Sequence, residues 1–239
     1  ANCLSLGQVA VDEKSNEITA IPQLLRVLEI QGCIVTIDAM GTQKEIAKLI
    51  TEQGGDYILS LKGNQGNIHQ DVKQLFDWAL KSNFEQIPHE AYQTMNKGHG
   101  RIEIRRYWLL ESVEHLIDAE LWSGLKRVGL IESQRRIKGK PPTIERRYYL
   151  SSLDGGVERF AQATRSHWGI ENQLHWCLDV AFNEDDSRIR SGHAPENMAL
   201  IRHIALNLLS TETSVKVGKK SKRLKAGWDN AYLLKVLAA

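Results

Sequence analysis

The chain has 239 residues, 42% of them hydrophobic, with 31 Lys and Arg against 29 Asp and Glu. Such a length suits one large domain or two small ones, and the apolar share excludes wholesale disorder. A net charge of +2 gives no global sign of a nucleic-acid binder, but it leaves local segregation of charge open.

Leu4 to Val11 alternates loosely and suits a strand. "DEKSNE" supplies turn residues and a cap at Ser15 or Asn16. Ile21, Leu24, Leu25 and Leu28 then fall at helical spacing within 18–30, with Pro22 in the first turn and Gly32 as the stop. Cys33 to Ile37 is a short apolar run, the mark of a strand covered on both faces. A helix over 42–53 follows, with a stop at Gly54-Gly55, a strand at Tyr57 to Leu61, the turn "KGNQGN" and a helix over 68–80. Strand and helix in this alternation indicate an α/β sheet with parallel members. From about 85 to 150 the chain reads as extended and antiparallel, as an insertion or as an extension of the sheet. A long helical segment over 157–182, a helix over 194–210 and a basic stretch over 211–239 complete it.

Cys3, Cys33 and Cys177 form no CxxC pair, which fits a reduced, cytoplasmic setting. Arg202 and His203 interrupt the greasiest late stretch, so no run reaches the length of a membrane span. The start, "ANCLSLGQVAV", lacks the pattern of a signal peptide and reads as the interior of a longer protein.

Asp38 stands at the tip of the strand Cys33–Ile37, and ligands of open α/β sheets gather beyond the carboxyl ends of strands. The alternative role is a helix N-cap. Glu171 lies among Trp168, Leu174 and Leu178, where an ionised side chain calls for a cation or a metal; a surface pairing with Arg165 or His167 is the alternative. His167, Glu171 and His175 step by four. Eight residues at about 1.5 Å each separate the outer two by about 12 Å, too far to close on one ion.

"DEKSNEITAIPQLL", "IVTIDAMGTQKEIA", "DYILSLKGNQ" and "SHWGIENQLHWCLDVAFNEDDSRIR" followed by "APENMALIRHIALNLL" run in order along the chain. Together they resemble the ISAs1-type transposases, which include the H-repeat-associated proteins of enteric bacteria. The resemblance implies an α/β, ribonuclease H-like mixed sheet flanked by helices, with an antiparallel β-rich insertion over about 85–150 before the last catalytic helix. It implies a catalytic core over 1–210 and a basic extension over 211–239. It implies DDE chemistry, in which carboxylates hold two Mg²⁺ or Mn²⁺ ions for phosphodiester cleavage and strand transfer. Asp38 corresponds to the family's second acid and Glu171 to its third, both as catalytic and metal-binding residues. The first acid lies in a strand ending Asp-Gly-Lys, and no such triplet occurs here. Asp12 belongs to the separate block "DEKSNE", so the expectation is a chain without the first strand and with impaired strand transfer. The Tyr-Arg-Glu-Lys signature of related families also departs, with Thr164, His167 and Leu178 at the corresponding positions. The implied partner is double-stranded DNA, as element terminal repeats and target, with a homodimer on DNA admitted, no membrane, and a nucleoid-associated location in the cytoplasm.

Several residues suit phosphate contact. Lys62, Asn64 and Gln65 follow a strand in a Gly-rich turn beside the edge that carries Asp38. Arg165, His167, Arg188 and Arg190 flank Glu171. Lys216, Lys219, Lys220, Lys222, Arg223 and Lys225 form a basic run that supplies sequence-independent contacts. Trp168 and Trp176 suit base stacking, with at least one expected in a helix core. Two rival readings remain. "DAMGT" resembles the nucleophile loop of haloacid dehalogenase-like phosphohydrolases, but Met40 replaces their second acid. An inactive transposase remnant that binds DNA without cutting is the non-enzymatic rival.

Overall fold

A computed structural model describes residues 17–85, 87–98, 100–111, 113–169 and 174–239. The strand expected over Leu4–Val11, the cap at Ser15 or Asn16, and Glu171 all lie outside the described residues. The chain divides into two compact units, with one boundary between Arg165 and Ser166.

The first unit is built on six strands: β1 (Ile34–Ile37), β2 (Asp56–Leu61), β3 (His89–Gly98), β4 (Arg101–Leu110), β5 (Arg127–Ile137) and β6 (Thr143–Ser151). They form one mixed sheet in the order β1-β2-β6-β5-β4-β3. β1 and β2 are parallel, with Ile34 opposite Asp56 and Ile37 opposite Leu59. The crossover between them carries helix α2 (Lys44–Glu52), as a parallel pair requires. β6 runs antiparallel to β2, with Ile58 opposite Ser151. The extended middle of the chain therefore continues the same sheet, the second of the two alternatives left by the sequence.

Side-chain alternation places a hydrophobic layer on each face of the sheet. On one face, Leu59, Leu61, Leu130, Tyr148 and Leu150 meet Leu25 of helix α1 (Glu17–Val27), Ile46 and Ile50 of α2, and Val72 and Phe76 of helix α3 (Gly66–Lys81). On the other, Ile58, Tyr107, Ile131 and Tyr149 meet Val157, Phe160 and Ala161 of helix α4 (Val157–Gly169). Gly129 of β5 makes this second approach possible. A Cβ there would stand 2.5 Å from the Phe160 ring. Pro22, expected in the first turn of its helix, is instead the sixth residue of α1, which begins at Glu17, and lies in the second turn.

The second unit holds α5 (Trp176–Phe182), α6 (Ala194–Thr211), α7 (Lys219–Trp228) and α8 (Asn230–Leu237). Cys177, Leu178 and Leu206 make one small core, and Leu209, Tyr232 and Val236 another. The basic stretch expected to be an extension is thus two further helices. Trp168 is 37% exposed and Trp176 60% exposed, so the core role expected for one of them is not met.

Candidate active site

β1 ends at Ile37, and Asp38 is the next residue, exposed at the carboxyl end of the strand. Its Oδ1 accepts from the backbone N–H of Met40 (3.1 Å) and of Gly41 (3.3 Å). The carboxylate therefore closes an Asx-type turn. It is not the cap of α2, whose N-cap position is Gln43, without a side-chain cap bond. One oxygen of Asp38 is fixed by backbone, and the other, Oδ2, carries no hydrogen bond among the described residues. Gly41 is required by space, because a Cβ there would fall 2.4 Å from Ile37 and 2.6 Å from Ile21.

Three side chains hold this turn, and sequence reading missed their role. Thr42 is fully buried, and its hydroxyl lies 2.9 Å from the carbonyl of Asp38 and 2.6 Å from that of Ser60 at the end of β2. Asn64 donates through Nδ2 to the carbonyl of Ala39 at 2.7 Å, and Gln65 through Nε2 to that of Thr42 at 2.6 Å. The β2–α3 turn is in this way bolted to the β1–α2 turn. Asn64 and Gln65, expected as phosphate donors, each commit an amide N–H to positioning Asp38's loop. Lys62 in the same turn is exposed and has no carboxylate within ion-pairing distance among the described residues.

The start of α4 is fixed by a second missed group. Glu90 of β3 accepts from the N–H of Val157 at 2.8 Å, which satisfies an orphan donor of the helix terminus. Arg127 holds Glu90 at 2.9 Å, the carbonyl of Gly155 at 2.9 Å and Glu111 at 2.6 Å. No local sequence pattern announces this clasp, since its members are spread over two strands, two loops and the first residue of α4.

The other expected contact residues fall as follows. Arg165, in α4, is exposed. His167 is half-buried, its ring 5.7 Å from that of Trp168. Arg188 and Arg190 are exposed in the segment between α5 and α6, and Arg190 donates to the carbonyl of Ile189 at 2.9 Å. Arg202 braces the same segment through Glu184 (3.3 Å) and Ser187 (3.0 Å).

The basic run divides. Lys216 and Lys220 are exposed and Lys219 half-buried, all three without a carboxylate partner among the described residues. Lys222 is buried and donates to the backbone carbonyls of Leu209 and Glu212, with the Glu212 carboxylate 3.6 Å away. Arg223 lies over the Phe182 ring at 5.5 Å, and Lys225 pairs with Asp229 at 2.6 Å. Glu212 is itself buried and accepts from the Ser214 N–H (2.6 Å) and the Tyr232 hydroxyl (2.7 Å). Bonding from Ser214 first, then Tyr232, holds its carboxyl down at about 2 despite burial, while burial and the bond to Glu212 push the Tyr232 phenol up to about 12. Lys222 is therefore a structural cation, and the phosphate role expected of it is withdrawn.

Among the described residues no three of His, Cys, Asp and Glu converge as a metal-ligand set. Asp38 offers, at the carboxyl end of β1, an exposed carboxylate oxygen of the kind that hard divalent cations prefer. No helix among the described residues is long and apolar enough to cross a membrane.

An α/β sheet with an acid at a strand tip is the setting in which comparison with known proteins becomes decisive. A family model described as the transposase DDE domain matches residues 1–208. The chain belongs to that family. It is 46% identical to the H repeat-associated protein YhhI of Escherichia coli K12 over 98% of its own length and 62% of that protein's. YbfL of the same strain shows the same identity and coverage, and YncI of E. coli O157:H7 is 42% identical over 100% of this chain and 61% of its own. The chain thus spans about three fifths of the curated relatives it matches.

Proposed function

We propose that this chain is the catalytic region of an insertion-sequence DNA transposase, built on a ribonuclease H-like sheet. The observation that carries the reading is the state of Asp38: one oxygen locked by the turn, the other open at the carboxyl end of β1. A pre-oriented carboxylate of this kind suits a ligand of a divalent ion, since no side-chain freedom is left to lose on binding. Family membership supports the class of reaction. The parallel β1–α2–β2 unit that continues into antiparallel strands supports the fold.

In this reading Asp38 and Glu171 are the second and third acids, and duplex DNA is the substrate. Two Mg²⁺ or Mn²⁺ ions, when bound, stabilise the entering and leaving oxygens of an in-line displacement at phosphorus. Thr42, Asn64 and Gln65 act as positioning residues by holding the Asp38 turn. Lys62 stands on the same turn as a phosphate contact, with Arg165 on α4 and Arg188, Arg190, Lys219 and Lys220 on the second unit. A location with the nucleoid goes with this function.

The test is nicking of supercoiled plasmid by the chain with Mn²⁺, compared with Asp38→Asn. Loss of nicking in the variant, with an unchanged far-ultraviolet circular dichroism spectrum, is the expected result. Nicking that survives the substitution removes Asp38 from the chemistry. The remnant reading draws on the lack of a three-ligand cluster among the described residues. Duplex binding by the unaltered chain without Mn²⁺-dependent nicking favours that reading.

A further inference from the structure

Strands β3 to β6 form a four-stranded ribbon, and the β3–β4 and β5–β6 turns lie at the same end of it, because Arg101 pairs with Ile137. Gly100 (φ +73°) and Gly139 (φ +78°) supply the left-handed residues that these turns need. Toward the sheet core the ribbon is apolar, with Leu110, Val128 and Leu150 all buried. Toward the turns it becomes cationic. Residues 94–102 and 133–144 contain six Lys and Arg and no Asp or Glu, in a chain whose net charge is only +2.

Most of this charge is not neutralised within the protein. Arg101 and Arg135 share the carboxylate of Glu103, at 3.3 and 3.4 Å, with Arg105. Arg136 bonds only the amide oxygen of Gln134 among the described residues, at 3.1 Å. Lys97, Arg136, Lys138 and Lys140 are all exposed, and none has a carboxylate within ion-pairing distance among the described residues. Lys97, Arg101, Arg136 and Lys138 line a concavity of about 690 Å³ together with Gly98, Gly100 and Ile102. Met95 and Ile144 stand 64% and 58% exposed on the same end.

Isolated surface lysines are ordinary. A concave cluster in which Glu103 is the one acid met, by Arg101 and Arg135, is different among the described residues, because a hydrogen-bonded ladder holds the backbones of its cations in register. Lys97 and Arg136 flank Ile102 in one cross-strand row. Two strand spacings separate them by about 10 Å, comparable with a DNA major groove about 12 Å wide. We propose that the turn end of this ribbon is a contact surface for the sugar–phosphate backbone of duplex DNA. Lys97, Arg101, Arg136, Lys138 and Lys140 meet phosphates, and the exposed Met95 and Ile144 lie against sugar. The proposal rests on the reading of the chain as a DNA transposase and adds a second contact region, on a different element from the Asp38 turn.

The test is fluorescence anisotropy of the whole chain with a labelled 30-base-pair duplex of arbitrary sequence, titrated at about 50–200 mM KCl without divalent ions. The variant replaces Lys97, Arg136, Lys138 and Lys140 together by Ala, which breaks no ion pair. Each phosphate contact contributes about 0.9 to the slope of log K against log salt, so the variant's slope is expected to be shallower by about 3 to 4. Affinity at the lowest salt is expected to fall at least about tenfold. The second variant, K138E/K140E, changes only the turn outside the paired strands and is expected to weaken binding in the same direction; it decides alone should the fourfold variant lose its circular dichroism spectrum. A slope within one unit of the unaltered chain's overturns the proposal, as does an unaltered chain that binds no duplex. Tighter binding of an RNA duplex, lost in the same variants, reassigns the surface and also overturns it. Nicking at Asp38 is read separately, so its survival in Asp38→Asn removes the metal-site reading and leaves the slope result standing.

Discussion

Helix α7 and the turn end of the β3–β6 ribbon are both rich in Lys and Arg, yet their charges do different things. In α7 three of the five charges turn inward, Lys222 on Glu212 and two carbonyls, Arg223 on an aromatic ring and Lys225 on Asp229, while Lys219 and Lys220 have no carboxylate partner among the described residues. At the ribbon end Lys97, Arg136, Lys138 and Lys140 face solvent without acidic partners among the described residues. Density of charge along a sequence therefore does not say whether the charge is available to a ligand. Availability depends on what other elements bring to it: the residue after α6 brings a buried carboxylate to Lys222, while no carboxylate reaches Lys97, Arg136, Lys138 or Lys140 among the described residues.

The sharpest way to break this contrast is to remove one cation from each region. Lys222→Ala leaves Glu212 buried beside a missing ammonium, and loss of one member of a buried pair is strongly destabilising. The folded-to-unfolded ratio is expected to fall at least about tenfold, read as a lower urea midpoint. Lys138→Ala should stay within about 0.5 kcal/mol of the unaltered chain. Equal midpoints for the two variants would show that Lys222 is no more structural than a ribbon lysine.

The ribbon's root carries the next effect. Gly129→Ala drives a methyl to 2.5 Å from the Phe160 ring, so α4 must shift or the ring must leave its rotamer. Overpacking of this kind costs about 1–3 kcal/mol. Thermal denaturation should report it, while Gly139→Asn, at the left-handed turn position (φ +78°) that Asn tolerates, should be nearly silent. The root of the ribbon is a packed core and its tip is not, and these two substitutions measure that difference.

Acid sharpens the comparison further. The Glu212 carboxyl is held at about 2 in the folded unit against an ordinary 4.5. A depressed carboxyl contributes stability that is full above the unfolded value and is lost as pH falls through the folded one. Stability of the helical unit should thus decline between about pH 4.5 and 2, and Glu212→Gln should flatten that part of the profile. Tyr232 acts with the opposite sign. Its raised phenol favours the folded unit below about 10 and ceases to do so as pH rises toward 12. Lys97, Arg136, Lys138 and Lys140 have no carboxylate within ion-pairing distance among the described residues, so their substitution should leave the acid limb of the profile unchanged.

Much of the fold was legible because it is local. The apolar run at Cys33–Ile37, the helical spacing of Ile46, Leu49 and Ile50, and the acid at position 38 each declare themselves within a few residues. The pairing of β6 with β2 does not, since it joins residues about 90 apart, and alternation alone leaves insertion and extension equivalent. The burial of Lys222 was hidden for the same reason. Its partners come from the end of α6 and the residue after it, and a basic decapeptide gives no sign of them. Asp38's second role as a turn former was visible in principle, because Asp two and three residues ahead of free N–H groups is a known turn pattern.

The smallest effect tests what Asn64 and Gln65 are for. As phosphate donors, these neutral amides would release no counterion, so each would add affinity at every salt concentration and leave the slope unchanged. As bolts on the Asp38 turn, their donors are already engaged, at 2.7 and 2.6 Å. Asn64→Ala should then cost about 0.5–1.5 kcal/mol of stability, the net worth of one such bond, and leave the affinity for duplex DNA where it was. Gln65→Ala should behave alike. Mn²⁺-dependent nicking is the readout that separates positioning from mere stability, because a loosened turn lets the Asp38 carboxylate swing. The expected variant nicks more slowly at saturating DNA with unchanged affinity for it, whereas duplex affinity lowered at every salt concentration would return both side chains to the DNA surface.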